Sequence, residues 1–182
     1  VTRAAYPIPP VYIPSCSHYF GAAGARACGI SPSGASGSVA WPTANLAIYH
    51  PFYLPHEYPL RRIWWANGST SGGNMDIGVY SAAGTLIVKS GTTARDSGAL
   101  STLQYVALDY LLPPGGYYLG QVCSGTTGMI QSIAGSWTAA AGRACGLLQE
   151  SLGSASLPDV MTPATYAQTL VPLAGLTLSP TW

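Results

Sequence analysis

The chain has 182 residues and a formal net charge of +1, with 7% of residues charged and 48% hydrophobic. That balance gives no electrostatic footprint for nucleic acid and no basic block for an anionic membrane surface. No window supplies the ~20 uninterrupted apolar residues of a membrane span. One domain of this length buries a sizeable core. A surface so poor in charge is weakly protected against association, so much of it is expected to lie against partner chains.

Residues 1–45 read as an extended arm. Residues 1–12 lack the charged head, apolar run and small-residue exit of a secretory signal; a signal removed earlier or an excised initiator methionine both fit. Pro7, Pro9, Pro10, Pro14, Pro32 and Pro42 punctuate the stretch, and proline fixes φ and cannot continue a ladder, so residues 6–14 are expected to be extended. Residues 31–38 read as a loop or linker by composition. Such an arm cannot offset its own ordering entropy, yet it carries Tyr6, Ile8, Tyr12 and Ile13. Two readings of those side chains stand: contacts to a neighbouring subunit, or a strand or two folded onto the arm's own domain.

From residue 46 the strand signals become regular. Residues 46–54 are the first, with Pro51 demoting the second half to an edge or bend. Residues 60–66 end at the Asn67-Gly68 turn signal, residues 74–80 alternate cleanly, and residues 85–90 follow Ala83-Gly84 as the second arm of a hairpin. Residues 101–110 place Leu103, Tyr105 and Ala107 on one face. The Pro113-Pro114-Gly115-Gly116 run turns the chain into residues 117–123. Weaker candidates lie at 129–133, 144–149 and 168–178, with short helices at 137–141 and 163–166. The fold class that follows is all-β: an antiparallel β-sandwich or jelly roll of about eight strands over residues 46–182, behind the N-terminal arm.

A search for chemistry finds little. His18, His50 and His56 lack the H-E-x-x-H spacing, and Pro55 and Pro59 forbid a helix around His56-Glu57. His50 and His56 read as solvated. No G-x-S-x-G elbow, Walker loop or G-x-G-x-x-G fingerprint occurs. Of the six carboxylates, Asp76 and Asp109 are the pair that neighbouring strands would bring together for glycoside hydrolysis. Asp76 reads better as a structural cap of the Gly72-Gly73-Asn74 loop. Asn74 and Asp76 fall short of the oxygen set that calcium takes, so neither metal nor cofactor is expected. Cys16, Cys28, Cys123 and Cys145 are candidate disulfide partners, with Cys16–Cys28 plus Cys123–Cys145 the local pairing among three, and four buried thiols are the alternative.

Aromatic residues carry the binding signal. Trp64 and Trp65 are adjacent, so in a strand they face opposite sides, one entering the core and the other meeting solvent, a partner or a sugar. Tyr117 and Tyr118 repeat the arrangement. Subunit interface, packing within the sandwich and glycan platform are the three roles open to these four residues. The Asn67-Gly68-Ser69 triplet matches the N-glycosylation sequon, a weak motif that a turn already explains.

At W-A-N-G (residues 65–68), G-N-M-D-I-G-V-Y (73–80), G-T-L-I-V (84–88), S-G-T-T-A (90–94) and the later P-G-G-Y-Y-L (114–119), the sequence resembles β-sandwich, jelly-roll-like structural proteins of tailed-bacteriophage virions. The resemblance covers about residues 46–122. It implies a non-enzymatic virion part present in multiple copies, a homo-oligomer for which the family suggests threefold symmetry, bound to other virion proteins as a head decoration, neck, tail or fibre-associated component. The alternative expectation is a carbohydrate- or receptor-binding sandwich module, at the host-binding tip of a virion or secreted.

Overall fold

The computed structural model describes residues 19–20, 25–26, 36–70, 72–95, 103–133, 139–144 and 146–177. In chain order these form β1 (Tyr19–Phe20), β2 (Ala25–Arg26), β3 (Ser36–Ala40), β4 (Leu46–Leu54), β5 (Tyr58–Ala66), β6 (Asn74–Ser81), β7 (Leu86–Lys89), β8 (Thr93–Ala94), β9 (Leu103–Leu112), β10 (Gly115–Cys123), β11 (Met129–Ile133), the short helix α1 (Ala139–Ala144), β12 (Leu148–Ser151), β13 (Ala164–Thr165) and β14 (Ala174–Thr177). The fold is all-β with antiparallel sheets packed together, as the alternation of side chains requires. Among the described residues no helix is long and apolar enough to cross a membrane.

The larger sheet runs β13-β12-β4-β10-β6-β7, with β8 also on β6, and the smaller runs β14-β5-β9. β3 pairs with β11, and this ribbon joins the smaller sheet through bridges between Asn67 and Ile130 and between Ser132 and Pro172. The chain changes sheets twice at one end of the sandwich: Leu54 at the end of β4 sits opposite Gly115, and Tyr58 at the start of β5 sits opposite Leu112. The prolines at 55 and at 113–114 mark these two corners, where a ladder has to stop. Pro51 has a positional reason as well. β12 covers β4 only as far as Tyr49, so the residue without an N–H stands where β4 keeps β10 as its one described neighbour.

The larger sheet is apolar on both faces. Toward the smaller sheet, Ile48, Met75, Ile77, Val79 and Leu119 meet Leu60, Ile63, Trp65 and Leu176 in the main core. On the opposite face Ala47, Tyr49, Tyr80, Val122 and Leu157 form a second cluster. Each fully buried aliphatic side chain contributes about 1.5–3 kcal/mol, and burial on both faces explains why β4 reads apolar over its first four residues instead of alternating. Residues 152–162 cover the second cluster as a strap. Its backbone joins the β6–β7 hairpin: Leu86 N donates to Asp159 O (2.8 Å) and Met161 N to Gly84 O (2.9 Å). Gly84 supplies the positive φ (83°) that this turn demands.

Gly120 lies beneath an edge-to-face pair, Tyr49 and Tyr80, whose ring centroids are 5.4 Å apart at 89°. A Cβ there would stand 2.9 Å from the Tyr49 ring and 3.0 Å from that of Tyr80. Gly120→Ala should therefore cost about 2 kcal/mol through overpacking, seen as a lower urea midpoint; an unchanged midpoint would mean that the rings give way freely.

Two local expectations differ from what forms, and a third is met with shifted bounds. Residues 36–40, read as the end of a linker and arm, make β3, because a Gly/Ser-rich segment becomes a strand once β11 offers it a ladder. Residues 164–165, within the expected helix at 163–166, pair with β12 instead. The helix expected at 137–141 is present as Ala139–Ala144. Of the arm, β1 pairs with β2 and lies against β14, while Tyr6, Ile8, Tyr12 and Ile13 lie outside the described residues.

Candidate functional site

The paired aromatics face opposite sides, but none is presented as a free ring. Trp65 points into the main core and is 1% exposed. Trp64, on the other face between Gly175 and Tyr105 in register, is only 2% exposed. Of solvent, a partner or a sugar, the first is corrected for this ring: Trp64 is itself buried, although Tyr105 on the same face is exposed. Tyr117 is buried, stacks on Phe52 at 5.4 Å and donates its hydroxyl to Pro113 O. Burial, with Tyr110 nearby, pushes its pKa up. Tyr118 is half-buried against the second cluster.

Trp65 leads instead to a buried polar hub. Its Nε1 donates to Asn67 Oδ1 (3.1 Å), Arg95 Nε donates to the same oxygen (3.2 Å), and Asn67 Nδ2 donates to Gln104 Oε1 (3.0 Å). Arg95 Nη1 reaches Gly72 O (3.2 Å). Asn67 is fully buried and its side chain is consumed, so the N-G-S triplet is neither a two-residue hairpin nor an accessible glycan acceptor. Gly68 runs on beside Met129, donating its N–H to Met129 O (2.8 Å). Burial pulls the pKa of Arg95 below its ordinary value, and the neighbouring Cys123 sulfur acts the other way. Cys123 is a free, buried thiol whose Sγ lies 3.4 Å from Gly125 O, the thiol alternative of the two open to it. Cys16, Cys28 and Cys145 lie outside the described residues.

The carboxylates hold the strap and the edge. Asp76 is fully buried; its Oδ2 accepts from Leu157 N (2.9 Å) and lies 3.8 Å from Lys89 Nζ, while Oδ1 accepts from Ser90 Oγ (3.2 Å). It is structural, as expected, but it anchors residue 157 rather than capping the 72–74 loop. Glu150 accepts from Tyr49 OH (2.7 Å) and from Thr162 Oγ1 (2.6 Å). Asp109 pairs with Arg61 on the other sheet, so Asp76 and Asp109 do not face one another. His50, read as solvated, is fully buried between the sheets with its Nε2 3.2 Å from Gln121 Nε2; His56 is exposed. Among the described residues no group of three or more His, Cys, Asp or Glu could hold a metal ion.

What the surface does present is β9. In the smaller sheet it stands at one end, with β5 as its strand partner among the described residues. Leu103, Tyr105, Tyr110 and Leu111 are 40–55% exposed along it. Edge strands ordinarily carry charge, proline or a bulge against unwanted pairing. β9 has a bulge opposite the Leu60–Arg62 step and one charged residue, Asp109, already paired with Arg61. Residues 103–107, before the bulge, are uncharged and regular. Arg62 sits 4.0 Å from the Tyr105 ring centroid, a cation–π contact that fixes this ring at the edge. Sequence reasoning put Leu103, Tyr105 and Ala107 on one face but took the tryptophans as the binding signal; a ten-residue strand with one charge and no proline was the stronger one. Tyr53, 44% exposed on β4, adds a ring near the corner that β9 approaches.

No protein-family model matches this chain, and no curated protein matches it.

Proposed function

We propose that this chain is a non-enzymatic structural component of a virion, assembling in multiple copies through apolar and aromatic surface. The observation that carries the reading is the exposed apolar and aromatic side chains of β9, a ten-residue strand with one charge, in a chain with 7% charged residues, since obligate interfaces are more hydrophobic than ordinary surface. The motifs behind the resemblance to tailed-phage structural proteins fit it too, because their polar residues are spent internally: Asn67 in the hub, Asp76 on the strap, and Tyr80 donating to Pro158 O (2.7 Å). The test is solution mass by light scattering at micromolar concentration. A stable multimer of the 18.8 kDa chain is expected; a monomer at every concentration would sink the reading.

Exposed rings at Tyr53, Tyr105 and Tyr110 favour a second reading, a carbohydrate- or receptor-binding module, since exposed aromatic faces stack on sugars. A glycan array separates the two: binding lost in Tyr53→Ala or Tyr110→Ala variants would move the assignment to recognition.

A further inference from the structure

We infer that the outward face of β9 is a twofold contact between two copies of this chain, in which the two β9 strands lie antiparallel across an axis at Ala107. The inference rests on the assembly reading above and names the contact that builds it. The contact is made by side chains standing off the sheet and takes nothing from the main-chain groups of the strand. Val106 and Leu108 pack on the main core, so the residues between and beyond them alternate to the outside. Leu103, Tyr105, Ala107, Asp109 and Leu111 are all exposed there, a stripe about 27 Å long. The order of side chains along it is self-complementary. Turned about Ala107, Leu103 of one copy meets Leu111 of the other, Tyr105 meets Asp109, and Ala107 meets Ala107. Every unlike contact then occurs twice, as an isologous interface requires. The smallest side chain of the five falls on the axis, so nothing bulky props the two sheets apart.

Charge selects a second copy as the occupant. The Asp109 side chain is 85% exposed and its Oδ1 accepts from Arg61, which leaves Oδ2 as an acceptor. Arg62 holds its guanidinium 4.0 Å from the centroid of the Tyr105 ring. Among the described residues, two guanidiniums thus stand beside β9 against the one carboxylate of that strand. The Tyr105 end of the stripe therefore favours an incoming anion. A second copy brings its Asp109 to that place, where the carboxylate meets the phenol O–H and the Arg62 guanidinium together. Residues 1–35 contain no Asp or Glu, so the arm of the same chain has no carboxylate to bring there. Complementary charge fixes the register, and the leucines at either end supply the apolar contact.

The test uses full-length protein. Asp109→Lys sets a lysine opposite Arg62, and Tyr105→Asp sets an aspartate opposite Asp109. Each alone should weaken self-association at least about tenfold, moving the mass seen by light scattering toward 18.8 kDa. An equimolar mixture of the two should recover the wild-type mass, because the introduced aspartate then meets the introduced lysine while the second Tyr105–Asp109 contact stays native. Unchanged circular dichroism excludes unfolding, and recovery on mixing needs two folded chains. A multimer that survives both substitutions overturns the contact while leaving the assembly reading intact. Two monomeric variants that do not recover on mixing overturn the pairing of Tyr105 with Asp109. A wild type that is monomeric at every concentration sinks the assembly reading and the contact with it; resistance of Leu103 and Leu111 to hydroxyl-radical labelling in that monomer would put the arm of the same chain on this face.

Discussion

Replacing Asn67 by alanine should cost about 4 kcal/mol of folding free energy. Three partners lose their contact at once: the Trp65 indole N–H, the Arg95 Nε–H and the Gln104 carbonyl oxygen. An unsatisfied buried group costs about 1–3 kcal/mol, more when charged. The half-buried position of Gln104 reduces its share, since water can reach that oxygen. For a chain of this size the loss corresponds to a fall of roughly 10 °C in thermal midpoint. Asn67→Asp is the informative companion. It keeps the acceptor for Trp65 and gives Arg95 a charged partner, at the cost of an acceptor facing the half-buried Gln104 Oε1 in place of the donor, so it should retain most of the stability that alanine removes. Urea unfolding of the three proteins checks both; an Asp variant as damaged as the Ala variant would show that shape, rather than the shared oxygen, holds this region.

Asp76→Ala should cost about 3 kcal/mol, the scale for removing one member of a buried charged network, reduced because Lys89 is partly in water. The damage should be local first. Leu157 N–H loses its acceptor, and the Lys89 ammonium loses its ion-pair partner while keeping Leu157 O and Ser156 Oγ, so amide exchange across residues 155–162 should accelerate before β4, β6 and β10 are affected. The pH dependence has a definite sign. Burial raises the Asp76 pKa above its ordinary 3.8, against the opposing pull of the Leu157 N–H, the Lys89 ammonium and the Ser90 hydroxyl. The folded protein then holds this proton more tightly than the unfolded chain. Its stabilisation is full below pH 3.8 and is lost as pH rises through the raised value. Asn at this position has no proton to lose. The thermal midpoint of wild type minus that of Asp76→Asn should therefore decline as pH rises from 3.8 upward; a difference that grows instead would mean that the three donors outweigh burial.

Local pattern carried the strands whose β-forming residues run between clear turn signals. Residues 46–54 and 74–80 were legible because apolar, β-forming content and bounding turn residues agree, although both faces of their sheet are buried. It failed wherever a distant segment decided the outcome. Residues 36–40 hold Ser, Gly and Ala and become a strand through β11. Asn67-Gly68 has the composition of a hairpin turn, yet β11 runs alongside it and Arg95 claims its side chain. His50 carries no local sign of burial, since its surroundings come from β10 and the opposite sheet. The tryptophans at 64 and 65 show the same limit in the other direction: adjacency fixes which faces they take, and says nothing about what lies over each face. The candidate interface was readable in principle, because the scarcity of charge along residues 103–112 is a property of the sequence, but that β9 stands at the end of the smaller sheet among the described residues is a property of the topology.

The order of strands in the larger sheet also governs when this molecule can finish folding. β4 takes its two neighbours from residues 115–123 and 148–151, so during synthesis it waits, with apolar side chains on both faces, for most of the remaining chain to emerge. Contacts this remote in sequence fold slowly and leave adhesive intermediates. A newly made chain is thus most vulnerable to off-pathway association until residues 148–151 have emerged, and lowering the growth temperature during expression acts on that interval rather than on the finished protein.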